Sequence, residues 1–269
     1  MTQRNRCSQS TDAAAHDEYT HDLLPLRVRI KRFHLINPGS VRMSSRRKGT
    51  RATSEETRNQ IKAAAQMLFA RHGVDAVTVQ QIVDAAGQRN NAALHYHFRS
   101  KEELIRQMVV DGATVLEERR RDMLGEIEAR GGPKTIRELI VVLVMPVIEL
   151  GDDERWRGYI RFTSNLQASD PKALREALNG RWNASFIECF NQLKQMLQLP
   201  APIVEQRLSI LAIYANAILS AHEAALELRN TKSSRLWGQP FTIENILDTL
   251  EATLTCPVSK SVLSKLPES

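Results

Sequence analysis

The sequence predicts an all-α protein with a small amino-terminal head and a larger helical body. After Thr53 no strand-like alternation of five or more residues occurs, and Ala, Leu, Glu, Arg and Gln dominate. Three helix starts also carry the capping-box pattern, in which a hydroxyl and a side chain three residues later satisfy exposed backbone N–H groups. These pairs are Thr53 with Glu56, Thr78 with Gln81, and Ser100 with Glu103.

The composition is that of an ordinary globular protein. The 269 residues include 42% hydrophobic and 25% charged residues, which argues against wholesale disorder. Cys7, Cys189 and Cys256 are widely spaced and indicate neither a disulfide framework nor a zinc site, and we expect no cofactor. Because no apolar run reaches the 18 residues of a membrane span, we expect a cytoplasmic protein with no membrane partner.

The net charge of +6 is unevenly distributed along the chain. Residues 43–110 carry eleven Lys/Arg against six Asp/Glu, a net charge of +5. Residues 1–42 have a net charge of +3, and residues 111–269 one of −2. This asymmetry indicates a polyanion-binding head on a nearly neutral body, although a small excess of positive charge also serves solubility.

The first 50 residues show no sustained helical period, and we expect a disordered leader and a basic arm. Met43 is the expected biological start, with residues 1–42 as an extension. The arm could follow phosphates or enter the minor groove, and an ordinary solvated tail is an equal alternative. Its basic residues are Arg46, Arg47, Lys48 and Arg51.

Apolar periodicity predicts nine helical segments after this leader. Breaks are expected near Gly112 or Gly125 and at Gly180, and the segment 138–150 is apolar nearly all round, as a central buried helix should be. The segments are 54–72, 79–86, 91–97, 101–130, 134–150, 153–168, 171–199, 201–229 and 240–255.

The second and third segments are short and are joined by a Gly-containing turn, which is the helix-turn-helix pattern. We therefore expect a DNA-binding domain at 51–104, a sensor and dimerisation domain at 105–255 and a flexible tail at 256–269. Leu94 and Phe98 are expected in the core of the head.

The start of the third segment offers side chains that suit base edges in the major groove. Arg fits the two acceptors of guanine, and Asn or Gln fits the donor and acceptor of adenine. The residues are Gln88, Arg89, Asn90 and Asn91. Asn90 or Asn91 could instead cap the third helix, and both roles can coexist.

Several blocks in this region together resemble the tetracycline-repressor (TetR) family of regulators. The blocks are IKAAAQMLFARHG (61–73), VTVQQI (77–82), AAG (85–87) and ALHYHFRSKEEL (93–104). The stretch from Gly87 to Phe98 is one residue longer than is usual in the family. The sequence therefore resembles a variant of the family with one extra residue in the turn. This shifts the expected register of the base-reading residues by about one position.

The resemblance implies phosphate contacts from a second group of residues. These are Thr78 at the second helix's cap, His95, Tyr96 and His97, and Lys101 at the start of the fourth helix. Such contacts set the position on DNA and supply salt-dependent affinity. The two histidines are not expected to bind a metal, because residues two apart do not share a helix face.

The resemblance also implies a homodimer and a small-molecule pocket. The dimer is expected through segments 201–229 and 240–255, whose regularly spaced apolar residues could alternatively pack inside one chain. These residues are Leu208, Leu211, Ala212, Ala215, Ile218, Leu219, Ala225 and Leu228 in the first segment, and Ile243, Leu247, Leu250 and Leu254 in the second. The pocket is expected among the middle helices, with Met145, Trp156, Tyr159, Phe162, Trp182, Phe186, Tyr214 and His222 as candidate lining residues, each of which also suits the core.

Together these features predict a homodimeric repressor that a small-molecule effector releases from a double-stranded DNA operator. An activator or a ligand-independent regulator of the same fold is the first alternative. An all-α enzyme is a second alternative, although the sequence has no Gly-rich phosphate loop, GxSxG or HExxH motif. A helical adaptor that has lost DNA binding is a third, and Tyr96, His97 and Lys101 argue against it.

Overall fold

The computed structural model describes residues 54–179, 181–228 and 230–266. In these residues the regular structure is entirely helical, which confirms the predicted all-α fold. The elements are α1 (Ser54–His72), α2 (Val79–Ala85), α3 (Ala92–Phe98), α4 (Lys101–Glu128), α5 (Ile136–Gly151), a 3₁₀ turn (Glu154–Trp156), α6 (Tyr159–Ser169), α7 (Pro171–Leu178), α8 (Ala184–Met196), α9 (Ala201–Glu227), α10 (Lys232–Trp237), α11 (Thr242–Thr255) and α12 (Lys260–Leu263).

The first three helices share an apolar core to which each contributes one face. From α1 this core takes Ile61 and Phe69, and from α2 it takes Ile82, all fully buried. Leu94 and Phe98 of α3 are at most 1% exposed, so their predicted place in the core is confirmed. The buried positions of α1 follow the 3.6-residue period, which is why this helix was predicted with its observed bounds.

The start of α2 is the capping box that the sequence predicts. The Thr78 hydroxyl accepts from the Gln81 backbone N–H at 3.3 Å, and the Gln81 side-chain oxygen accepts from the Thr78 N–H at 2.8 Å. Val77 before the cap and Ile82 after it are both buried, as in a hydrophobic staple. Local sequence therefore determines where α2 begins.

Several predicted boundaries in the body differ from those observed. The fourth helix runs unbroken through Gly112 and Gly125, so the expected break there is wrong. The segment 153–168 is a 3₁₀ turn followed by α6, because Gly158 adopts a left-handed φ of +84°. Segment 171–199 divides into α7 and α8 around Gly180, a position outside the described residues, as predicted. The helices α10 and α12 were not predicted.

Helix α5 lies at the centre of the body, as its apolar sequence predicts. Leu139, Val142 and Val144 are at most 1% exposed. At its amino-terminal end, Arg137 pairs with three carboxylates of α11 at 2.5 to 3.3 Å, which fixes α11 against α5. The carboxylates are those of Glu244, Asp248 and Glu251.

Helix α6 packs directly on α1, so the head is joined to the body through this pair as well as through α4. The rings of Phe69 and Phe162 stack at 5.7 Å between centroids. The Asn165 amide donates to the Phe69 carbonyl at 2.9 Å, and the Gln66 amide donates to the Arg157 carbonyl at 2.9 Å. These polar bonds orient α6 with respect to the last turns of α1.

Tyr159, the first residue of α6, lies against a glycine of α4. Its hydroxyl donates to the Val109 carbonyl at 2.9 Å, and its ring covers Gly112. A β-carbon at position 112 would lie 2.3 Å from the ring, so the crossing of α4 and α6 requires glycine there.

We predict opposite effects for alanine at the two glycines of α4. Gly112→Ala should lower the free energy of unfolding by about 1–3 kcal/mol, because the methyl group displaces the Tyr159 ring. Gly125→Ala, which meets nothing within 4 Å, should raise it by about 0.5–1 kcal/mol through helix propensity. Urea denaturation followed by circular dichroism measures both, and equal effects at the two positions would contradict the proposed crossing.

Candidate functional site

The predicted DNA-reading surface lies on the turn between α2 and α3 and on the outer face of α3. Ile82 and Leu94 anchor the two helices in the core from the inner side. Arg89, Asn91 and Tyr96 are exposed on the outer side. The apolar anchors thus hold a polar surface open to a partner.

The four turn residues do not all point outward. The Gln88 amide donates to the Ala86 carbonyl at 3.2 Å and to the Gln60 side chain of α1 at 3.3 Å, so it turns back on the head. The Asn90 side-chain oxygen accepts from the Ala92 N–H at 3.1 Å, which is the capping role weighed for it. Asn91 occupies the cap position without a side-chain cap bond. In the described part of the chain Arg89 has no ion-pair partner and is exposed.

The ring residues His95, Tyr96 and His97 lie next to each other in α3, and Tyr96 in the middle is exposed. Tyr96 is 79% exposed, and its ring meets that of His97 edge-on at 5.0 Å between centroids. His95 is exposed, and its Nδ1 lies 2.8 Å from the Arg99 carbonyl oxygen. Among the described residues no group of three or more His, Cys, Asp or Glu side chains is arranged to hold a metal ion.

Lys101 has a structural role that the sequence did not indicate. Its ammonium donates to the Val74 carbonyl at 2.7 Å and to the Val77 carbonyl at 2.6 Å, and it lies 5.7 Å from the centre of the Phe69 ring. Lys101 therefore ties the start of α4 to the loop between α1 and α2. Since an ammonium has three N–H groups, one remains for the phosphate contact predicted for this residue.

The start of α4 holds its charges in a fixed arrangement. The Ser100 hydroxyl accepts from the Glu103 N–H at 3.2 Å, which is half of the predicted capping box. The Glu103 carboxylate is instead bound by Arg106, and this hydrogen bond lowers the pKa of Glu103 to about 2. Thr53 and the basic arm of Arg46, Arg47, Lys48 and Arg51 lie outside the described residues.

The residues predicted to line one pocket are distributed over different parts of the body. Tyr159 and Phe162 are buried in the core. Trp156, Phe186 and Tyr214 pack against that core, with the Tyr214 hydroxyl 2.9 Å from that of Thr249, and Met145 is half-buried on α5. Only two of the predicted residues line the cavities described below, because helical periodicity alone does not separate a core face from a pocket face.

Two cavities contain the remaining predicted pocket residues. Trp182 lines an open groove of about 670 Å³ between α4 and the start of α8. His222 lines a smaller cavity of about 160 Å³ between α5, α6 and α9. The smaller cavity is lined by Val147, Ile148, Gly151, Asp152, Arg157, Ile160, Leu219, His222, Glu223, Leu226 and Glu227.

Seven of the twelve apolar residues that suggested a dimer surface are buried in the chain, whereas Leu228 is 57% exposed and the other four are partly buried. Leu208, Leu211, Leu219 and Ala225 of α9 are buried, as are Leu247, Leu250 and Leu254 of α11, so core packing describes them. A different stripe of α9 is exposed, with Ile210 at 47% and Ile213 at 67%. By length and composition α9 is also apolar enough to cross a membrane, and only 22% of its most apolar window is buried within the chain.

Comparison with known proteins places the head in a described family. Residues 61–108 match the family described as "Bacterial regulatory proteins, tetR family". No curated protein gives a significant sequence match to the chain.

The chain is similar to several solved structures of regulators. A protein from Shewanella sp. PV-4, described as a tetR family transcription regulator, has 12% identity and a TM-score of 0.52 over 74% of this chain and 97% of its own. Native NalD, the secondary repressor of the MexAB-OprM multidrug efflux pump in Pseudomonas aeruginosa, has 22% identity and a TM-score of 0.48 over 77% and 100%. The fatty acid degradation regulator FadR from Bacillus halodurans has 16% identity and a TM-score of 0.48 over 76% and 96%. The first of these supports an amino-terminal helix-turn-helix followed by a helical body.

We predict that Lys101 stabilises the head through its two carbonyl contacts. Lys101→Met keeps the apolar stem over Phe69 but leaves the carbonyls of Val74 and Val77 without this donor, so the free energy of unfolding should fall by about 1–3 kcal/mol. Lys172→Met is the matched control, because Lys172 is an exposed residue of α7. Denaturation in urea measures both variants, and an unchanged stability of Lys101→Met would refute the structural role.

Proposed function

We propose that the whole chain is a homodimeric repressor that a small-molecule effector releases from its operator, and the match of residues 61–108 to the tetR family of bacterial regulatory proteins supports this proposal. In this proposal residues 51–104 bind DNA, residues 105–255 sense the effector and dimerise, and residues 256–269 form a flexible tail. The protein acts in the cytoplasm, where its operator is.

The observation that carries the proposal is the exposed outer face of the helix-turn-helix. Arg89 and Asn91 stand at the start of α3, the part of a recognition helix that approaches base edges. Tyr96 and His97 lie further along the same helix, where phosphate contacts are expected, and Thr78 stands at the cap of α2. The net charge of +5 over residues 43–110 supplies the non-specific attraction to a polyanion.

A second copy of this chain is the proposed partner of α9. One helix-turn-helix reads few base pairs, and dimers of such domains place two recognition helices about 34–36 Å apart. Ile210, Ile213 and Ala217 follow each other at three- and four-residue steps on the exposed side of α9. This stripe, rather than the buried leucines, is the surface we assign to the dimer, because apolar helix faces of this kind are characteristic of subunit interfaces.

The separation of the two parts supports regulation by a ligand. A DNA-binding head joined to a body with its own cavities is suited to release by a ligand, provided that the ligand binds the released state more tightly. An activator of the same fold would use the same head and differ in the direction of the transcriptional response. Reporter expression from the protein's own promoter in a deletion strain distinguishes them, since loss of a repressor raises transcription.

We predict that the purified protein protects a pseudo-palindromic site in the DNA upstream of its own gene. Arg89→Ala should lose about 1–3 kcal/mol of discrimination at one base pair of each half-site, because it removes a base contact. Arg175→Ala, an exposed arginine of α7, should leave the footprint unchanged. Footprinting at several salt concentrations tests this, and the absence of any protected site would refute the proposed function.

We also predict that a charge on the exposed stripe of α9 yields a monomer. Ile213→Glu places a carboxylate in the proposed interface, whereas Ile187→Glu places one on α8 at a residue that is 44% exposed. Sedimentation velocity should show a monomer for the first variant and a dimer for the second and for the wild type. A monomeric wild-type protein, or a dimeric Ile213→Glu variant, would contradict the assignment.

A further inference from the structure

The 160 Å³ cavity between α5, α6 and α9 combines an apolar lining with carboxylates. Val147, Ile160 and Leu219 supply the apolar part. Asp152 is exposed at the carboxyl end of α5 and has no ion-pair partner among the described residues. Because an apolar cavity of about 150 Å³ is large enough for benzene, the space suits a small ring or a short branched chain.

The other two carboxylates of the cavity hold the body together. Glu223 of α9 accepts from the Gly158 N–H at 2.9 Å and from the Arg161 N–H at 3.0 Å, so it caps the start of α6 from a neighbouring helix. Glu227, one turn further along α9, pairs with Arg161 and also with Arg71 in the last turn of α1. Although burial acts in the opposite direction, these hydrogen bonds lower the pKa of Glu227.

The wall of the cavity is therefore also a link between body and head. Arg71 belongs to the helix whose residues pack under α2 and α3, so its position follows that of the helix-turn-helix. The Arg71 side chain is 54% exposed and that of Arg161 only 11%. Since exposed ion pairs are weak, the bond from Glu227 to Arg71 is the first that a competitor would displace.

The cavity lining includes two basic residues, Arg157 and His222. Arg157 is paired at 2.7 Å with Glu154, a residue that does not line the cavity. His222 packs edge-on against Trp237, and burial lowers its pKa, although the nearby Asp152 charge acts in the opposite direction. Asp152 lines the cavity and has no ion-pair partner among the described residues.

We propose that this cavity binds a small organic cation with an apolar body, whose charged group takes Glu227 from Arg71 and so loosens α1 from α9. This inference rests on the proposed function as a ligand-released regulator, and it names the effector's chemistry and the first bond that the effector breaks. The cation can pair with Asp152 in either state, but it gains Glu227 only when Arg71 has left. It therefore prefers the released state, which is the thermodynamic condition for moving the equilibrium.

Three probes of the same shape test the chemistry of the cavity: benzamidine, which is a cation, benzamide, which is neutral, and benzoate, which is an anion. Isothermal titration calorimetry should show binding of benzamidine to the wild-type protein and at least about tenfold weaker binding of the other two. Asp152→Asn should weaken benzamidine binding by about tenfold. Glu149→Gln removes an exposed charge from the same helix outside the cavity lining and should leave the affinity unchanged.

Competition between benzamidine and Arg71 has a measurable effect that is not expected of a site that binds benzamidine without displacing Arg71. Arg71→Gln should tighten benzamidine binding by about two- to fivefold, because the ligand no longer displaces an ion pair. In the wild-type protein benzamidine should weaken operator binding, and operator DNA should weaken benzamidine binding by the same factor. Circular dichroism melts of each variant verify that the chain is folded.

Equal binding of the three probes would overturn the inference. So would the absence of benzamidine binding at 10 mM, which is about the weakest affinity expected of a fragment of this size. An Arg71→Gln variant that binds benzamidine with the wild-type affinity would also overturn it. A protected operator together with any of these results rejects the cation site and leaves the proposed function standing. The converse result, benzamidine binding that Arg71→Gln strengthens in a protein without an operator, rejects the proposed function alone.

Discussion

The carboxylate of Glu223 is the contact on which the arrangement of head and body depends. It supplies, from α9, the cap that the start of α6 lacks in its own sequence, since Gly158 has no side chain to offer. Because α6 is thereby fixed against α9, its other side is free to pack on α1 through Phe162 and Asn165. A single acidic side chain thus joins α9 to α6, and α6 in turn packs on α1.

In the head, too, a small number of contacts fixes the arrangement of the helices. Its core needs only a few fully buried side chains from each helix, which leaves the outer face of α3 available for polar and aromatic residues. Lys101 then connects the start of α4 to the loop before α2, so the head is tied to the longest of the described helices.

Helix α9 has three surfaces with different surroundings. One, including Leu208 and Leu211, is buried in the body. A second, with Leu219 and Glu223, lines the small cavity. The third, which includes Ile213, is exposed. A helix that is apolar on more than one side satisfies a membrane-span criterion and equally suits a helix shared between a core and a partner, and the DNA-binding head favours the second interpretation.

Local patterns in the sequence were sufficient for the all-α fold, for the bounds of α1 and for the start of α2 at Thr78, because periodicity and capping act over three or four residues. The same patterns predicted the turn around Arg89, which is exposed, although they did not show that Gln88 in this turn bonds to Gln60 of α1. They could not show that Lys101 binds two carbonyls, that the leucines of α11 face their own core, or that Glu223 caps α6. The Lys101 and Glu223 bonds join groups 24 to 65 residues apart, and α11 packs on α5 and α9. Only the packing of the helices brings such groups together.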